Sequence, residues 1–255
     1  MKAPNITSKK WFPVLVLVLL VLLFFAPVLI QGRVIFPDLL NYYEPWNDYI
    51  QDLPFRFSHL KSDFVDALIP KMNLVKTELG QGNISLWSDV IDLGKPLIQT
   101  SLEYLLMPIY LFVWILPTDI GFTIAVILKA LIGALGMYFW LVDLKVRKSV
   151  AVIVGVVYAF SGFNMSWFLG NAAIVGEFAP WVFFFVNRIY ETKNVGKLWK
   201  YSIALILVYF FLIISGFVAG AGYVIYFSAF YVLILFIIDV IVWSKTKERS
   251  FILNI

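Results

Sequence analysis

The sequence predicts an all-α integral membrane protein of about six transmembrane helices with a large first extracytoplasmic loop. Three observations carry that expectation. Hydrophobic residues make up 62% of the chain and charged ones 14%, where a soluble domain typically carries about 25% charge. The mean hydropathy is +0.89. Finally, apolar runs of span length recur along the chain, with lysines and arginines clustered between them and most acids gathered in one early segment. The same inventory excludes several chemistries. With no cysteine there is no disulfide, thiolate nucleophile or Cys-based metal site. One histidine, His59, argues against His-rich metal centres and a Ser-His-Asp triad. The formal charge of +4 is distributed as topology signals are, not as a nucleic-acid surface, so no nucleic-acid partner is expected.

The elements follow in order. Lys9 and Lys10 precede an uncharged run, 11–30. At about 1.5 Å rise its twenty residues cover about 30 Å, the thickness of a hydrocarbon core. It reads as an uncleaved signal-anchor with a cytoplasmic N-terminus. Residues 31–118 form the outer loop and its interfacial segments. Five further spans are expected within 119–243, at 119–142, 149–169, 173–189, 201–215 and 222–243, and 244–255 is a cytoplasmic end. The run "SLEYLLMPIYLFVWILP", Ser101 to Pro117, decides the topology. If it spanned, the basic clusters "KVRK", Arg188 to Lys200 and "KTKER" would fall outside, against the positive-inside rule. Pro108 and Glu103 also suit a broken, shallow segment.

Within the outer loop, "PDLLNYYEP" and "SDFVDALIP" each place an aspartate seven residues before a proline: Asp38 with Pro45, Asp63 with Pro70. Pro70 suits the first turn of a helix that Gly80 or Gly82 would end. Met72, Val75 and Leu79 then share one face of a short amphipathic helix over 70–80, of the kind that lies on a membrane surface. If the helical turn extends back before Pro70, Asp63 and Asp66 share a side; the proline opposes that continuity. Trp87 and Tyr104 are natural interface anchors, and Asp89 and Asp92 read as turn residues. Aspartates before prolines in loops are commonly turn or cap residues, so residue type alone does not make Asp63 a base.

Within the spans Lys129 is the conspicuous charge. An ionisable group at membrane depth points to a functional site, and from about ten residues inside the outer end snorkelling relieves it only in part. It either faces a polar cavity or pairs with a structural partner such as Glu177, placed here in the outer turn between the third and fourth spans. Asp143 and Asp239 read as surface ion pairs beside the basic clusters. "GALGMY" and "GFVAGAG" supply small residues for close helix packing.

The segments "FPDLLNYYEPW", "LKSDFVDALIP" and "ELGQGNISLWSDVIDLGKPLIQTSLEYLLMPIYLFVWILP", continued by "YAFSGF" and "EFAPWVFFFV", resemble in content and order the bacterial YfhO-like membrane proteins. The resemblance covers nearly the whole chain and implies a GT-C-type fold. It further implies glycosyl transfer on the outer face of a bacterial cell membrane, from a polyprenyl-phosphate-linked sugar to an envelope glycopolymer such as a teichoic-acid-type chain. An aspartate of the first outer loop acts as base in such proteins, which implies Asp63 first and Asp38 second. The chain departs from the pattern at Asp66 and Ala67, leaving open whether Asp66 assists, binds an ion or is idle. Relatives are longer, so this chain is expected to be an N-terminal portion.

The leaving lipid phosphate needs a nearby cation. Lys61, Lys71, Lys76, Lys95 and Arg56 are loop candidates, with Lys129 from the spans, and Glu177 could assist from the same cavity. No protein metal site is assigned, although paired carboxylates could hold Mg²⁺ or Mn²⁺. Two other classes stay in view: a flippase or transporter of a lipid-linked sugar, and a non-catalytic envelope-assembly protein. Ionisable residues spread over several spans would favour the former.

Overall fold

The computed structural model describes residues 11–35, 44, 45, 48, 63–84, 86–89, 93–96 and 105–246, without the side chains of Val65, Asp66 and Thr246. It divides into two compact units, one of residues up to Phe25 together with those from Leu128, the other of Ala26–Ile127. Among the described residues, five helical stretches are long and apolar enough to cross a membrane, one of them Lys148–Trp167, which is two helices in tandem. The protein is helical, multi-pass and membrane-embedded in character.

The first unit contains α1 (Phe12–Phe24), α5 (Thr118–Asp143) from Leu128 onward, α6 (Lys148–Ala159), α7 (Gly162–Trp167), α8 (Ala172–Glu191), α9 (Val195–Ile213) and α10 (Val218–Thr246). Burial ranks them. In α5 and α8 the most apolar stretch is 61% and 56% buried, against 11% in α9 and 6% in α10, so α5 and α8 form the centre. α8 packs along α9 and α10, and α1 packs on α6. In the α1–α6 contact Leu17 and Val21 are buried. Gly155 makes that approach close, because a methyl there would sit 2.9 Å from Leu17 Cδ1 and 2.8 Å from the Ala134 carbonyl oxygen. Phe24 stacks on Phe160 with ring centroids 4.0 Å apart.

Several sequence expectations change here. The first apolar run is not one helix: α1 stops at Phe24, and a separate α2 (Ala26–Gln31) follows. Pro27 explains the interruption, since it offers no N–H to Leu23 and its ring crowds that carbonyl. The 13 residues of α1 extend only about 20 Å. The run at 149–169 is interrupted at Ser161, whose backbone is extended. The fourth run starts earlier than its hydropathy suggested, because the Asn194 side-chain oxygen caps α9 by accepting from Lys197 N at 3.0 Å; an N-cap of this type typically stabilises by about 1 kcal/mol.

The second unit is built on α3 (Ile69–Gly80) and the beginning of α5. A wide turn over Phe64–Leu68 leads into α3, with Ile69 N donating to the Phe64 carbonyl. The helical path therefore does run back to Asp63. The five-residue bond spacing accommodates Pro70, which cannot donate to residue 66. Met72 and Val75 are buried with Phe64 and Leu68, while Asn73 and Thr77 are exposed. Phe64 meets Phe122 edge-on at 4.9 Å. Thr118 donates to Asn73 Oδ1 at 2.9 Å, and Lys76 Nζ donates to the Leu116 carbonyl. A two-stranded antiparallel ribbon, β1 (Trp87–Ser88) with β2 (Lys95–Pro96), was not foreseen. It turns through Leu93 and Gly94, both at positive φ.

Among the described residues of the 101–117 segment, Met107 is extended, Pro108–Tyr110 form a single 3₁₀ turn and α4 (Leu111–Ile115) has 5 residues. α4 abuts the start of α5 so closely that a methyl on Gly121 would lie 2.5 Å from the Phe112 carbonyl oxygen and from Val113 Cα.

Candidate functional site

In the second unit, Asp63 is exposed at the head of the turn that leads into α3 and makes no capping bond with its side chain. Its backbone is fixed by the burial of Phe64, Leu68, Met72 and Val75 immediately behind it. An acid at this end also complements the helix dipole. Of the cations proposed near it, Lys71 is half-buried on α3, Lys76 is engaged by the Leu116 carbonyl, and Lys95 lies exposed on β2. Asp38, Lys61, Arg56, His59, Asp92 and Tyr104 lie outside the described residues, as does the side chain of Asp66.

A second polar centre lies inside the first unit. Lys129 and Glu177 are each 2% exposed. Glu177 does not sit in a turn, as the sequence suggested, but in the second turn of α8. Its placement follows from Gly133, one turn beyond Lys129 on α5. A methyl at Gly133 would overlap Glu177 Oε2 and lie 2.6 Å from Cδ. Gly136 accepts Trp181 in the same manner, and Trp181 Nε1 donates to the Ile132 carbonyl at 2.9 Å. The "GALG" stretch is therefore a groove that seats two side chains of α8 one turn apart.

Lys129 Nζ donates to the carbonyl of Phe168 and, at 3.3 Å, to that of Gly170. Those carbonyls end α7 and form the turn into α8, where helix-terminal acceptors otherwise lack partners. Glu177 Oε2 is buried and has no hydrogen-bond partner among the described residues. Tyr158 OH donates to the Gly176 carbonyl at 2.6 Å. That acceptor is available because Pro180, four residues on, has no N–H. Asn164, also buried, donates to the Tyr158 carbonyl at 2.9 Å and packs its side-chain oxygen on Gly176.

Asp143 is not a surface residue. Its side chain is fully buried, with Arg188 Nη2 at 2.9 Å and Asn187 Nδ2 donating at 2.5 Å. Tyr231 OH reaches Asn187 Oδ1 at 3.4 Å, so α5, α8 and α10 meet through one polar network.

The arrangement thus offers an exposed carboxylate on a fixed helical element and, separately, a cluster of buried Lys129, Glu177 and Asn164 with half-buried Tyr158. Tyr158 and Asn164 were not singled out from the sequence. The available signal was Pro180, which marks a helix carbonyl in need of an outside donor. This is a helical multi-pass membrane protein by its fold. Compared with protein families, with characterised proteins and with solved structures, the chain finds no match.

Proposed function

We propose that the protein is a GT-C-type glycosyltransferase of the YfhO-like kind, acting on the outer face of a bacterial cell membrane with Asp63 as its base. The observation that supports this reading is the placement of Asp63: an exposed carboxylate at the head of a helix whose opposite face is buried. A base needs both access to the acceptor and a fixed origin. In the proposed reaction Asp63 takes the proton from an acceptor hydroxyl as its oxygen attacks the anomeric carbon. The bond from that carbon to the lipid phosphate breaks, and the phosphate leaves with the electron pair. Lys71 and Lys61 stand near Asp63 in the chain as cations for the departing charge, and Asp38 is the second candidate base. Six spans with a cytoplasmic N-terminus, and 31–118 outside, complete the topology; α3 lies along the outer surface, and the broken pieces at 105–117 suit a shallow segment.

The buried Lys129–Glu177 cluster supports a second reading, a flippase for the lipid-linked sugar, because intramembrane charges line transport paths. One experiment separates the two. The full-length gene is deleted in its own host and replaced by the native form or by Asp63→Asn at equal membrane level. The sugars on purified envelope polymers are then measured by mass spectrometry. The expected result is loss of one sugar on deletion, return with the native form, and a deficit of about 10²–10⁴-fold in transfer rate with Asp63→Asn. Full restoration by Asp63→Asn removes Asp63 as the base and moves Asp38, transport or a non-catalytic role to the front.

A further inference from the structure

We propose that one end of the first unit is a binding surface for the headgroups of anionic phospholipids. Helix ends gather there. Asp143, the last residue of α5, is held by Asn187 and Arg188 near the end of α8. Tyr190 OH donates to the Leu235 carbonyl at 3.2 Å, which brings the later part of α10 alongside. The short links from α5 to α6 and from α8 to α9 therefore lie at the same end. They and the turns that follow carry the exposed cations Lys145, Arg147, Lys148, Lys193, Lys197 and Lys200. Within 144–148 and 191–200 the acid is Glu191 alone. Asp143 does not offset the surface charge, because its side chain is drawn into the bundle and answered by Arg188. The opposite ends of these helices, at 160–171 and 214–218, contain no lysine, arginine, aspartate or glutamate.

The surface carries more than an orientation signal requires. Past the end of α5, the Lys145 and Val146 amides turn back to the Val142 and Leu141 carbonyls at 3.1 and 3.0 Å. Glycine commonly stands at the position that closes such a turn, yet Lys145 occupies it with a φ of 65°. A charge is kept there against backbone strain. Lys197 and Lys200 lie in the first two turns of α9, whose most apolar stretch is only 11% buried. Val195 and Trp199, 67% and 66% exposed, are interleaved with them. Basic and apolar side chains mixed at the end of an exposed span suit the boundary of a bilayer better than an aqueous partner. Tryptophan settles at headgroup level, and a lysine stem lies along apolar surface while its ammonium group reaches the phosphates. An anionic leaflet attracts such a cluster by about fivefold in affinity for each basic residue near it. This holds whether or not the protein transfers sugar, and whichever side of the membrane this end faces.

The full-length protein is purified, stripped of lipid in detergent micelles and titrated with dioleoylphosphatidylglycerol or dioleoylphosphatidylcholine, and bound lipid is counted by native mass spectrometry. The native form should bind the anionic lipid about tenfold more tightly than the zwitterionic one, and the difference should shrink as ammonium acetate is raised. Lys197→Gln combined with Lys200→Gln should weaken phosphatidylglycerol binding about tenfold, to the level of phosphatidylcholine, and leave phosphatidylcholine binding unchanged. Lys145→Gly should weaken it about fivefold while raising resistance to unfolding, a pair of opposite changes that a damaged fold would not produce. Glycerophosphoglycerol, the same headgroup without its chains, should fail to displace the lipid at equal concentration. Equal binding of the two lipids by the native form overturns the proposal and leaves the lysines to set orientation alone. A loss under about threefold in the double variant, an undiminished affinity in Lys145→Gly, or full displacement by the free headgroup overturns it as well.

Discussion

Arg188 and Asp143 should respond unequally to removal, although they belong to one ion pair. The Asp143 side chain is fully buried, whereas Arg188 is 38% exposed. Arg188→Ala therefore strands a carboxylate whose remaining partner is Asn187 Nδ2, and stranding one member of a buried pair is worth about 3–5 kcal/mol. It also removes the guanidinium from above the Phe184 ring, 5.4 Å from its centroid, a further ~0.5–1 kcal/mol. Asp143→Asn leaves Arg188 able to turn its head outward along its long stem, and the loss is that of a charged hydrogen bond, about 1.5–3 kcal/mol. The double variant should recover stability relative to Arg188→Ala, because the stranded charge is gone. The measurement is reversible unfolding of the purified protein in mixed micelles of increasing denaturing-detergent fraction, followed by tryptophan fluorescence, with the four forms treated as a double-mutant cycle. A double variant as unstable as the sum of the two single ones would refute the reasoning, and so would Asp143→Asn being the worse of the pair.

Three further outcomes are expected. Gly133→Ala should displace Glu177 and destabilise by about 1–3 kcal/mol or more, while Gly80→Ala, where nothing lies within 4 Å, should be neutral or stabilising in the same unfolding assay. Gly121→Ala meets backbone atoms of α4 at 2.5 Å; no side-chain rotation relieves that, so the variant should separate α4 from α5 and accelerate proteolysis within 105–117. Tyr158→Phe should cost about 1–2 kcal/mol by leaving the Gly176 carbonyl unpaired. In a Pro180→Ala background, where residue 180 regains an N–H for that carbonyl, the same change should have a clearly smaller effect; equal effects in both backgrounds would mean that the proline does not create the need.

Legibility in the sequence followed the range of each interaction. The long apolar helices were readable because an apolar segment in lipid must satisfy its own backbone bonds, which makes helix formation a local matter. The helix at 70–80 was readable from its spacing of Met72, Val75 and Leu79, and the break in 105–117 from Pro108. The interruption near Phe25 was equally local, carried by Pro27, but hydropathy masks it because the run stays apolar on both sides. Lys129 was recognisable as a buried charge for the same reason.

What answers Lys129 was not readable. Phe168, Gly170 and Glu177 lie some forty residues away along the chain, and only the docking of α8 into the Gly133–Gly136 groove brings them to it. Asp143 shows the same limit. Beside "KVRK" it looks like a surface acid, yet α8 lays Asn187 and Arg188 over it and buries it. The sequence by itself determined that this chain is a helical membrane protein, and where its apolar helices and stray charges fall, since hydropathy and backbone bonding act over a few residues. Which charges are sealed, and against which carbonyls and carboxylates, only the tertiary structure decided, because partners in a low-dielectric bundle are chosen by how helices distant in sequence pack.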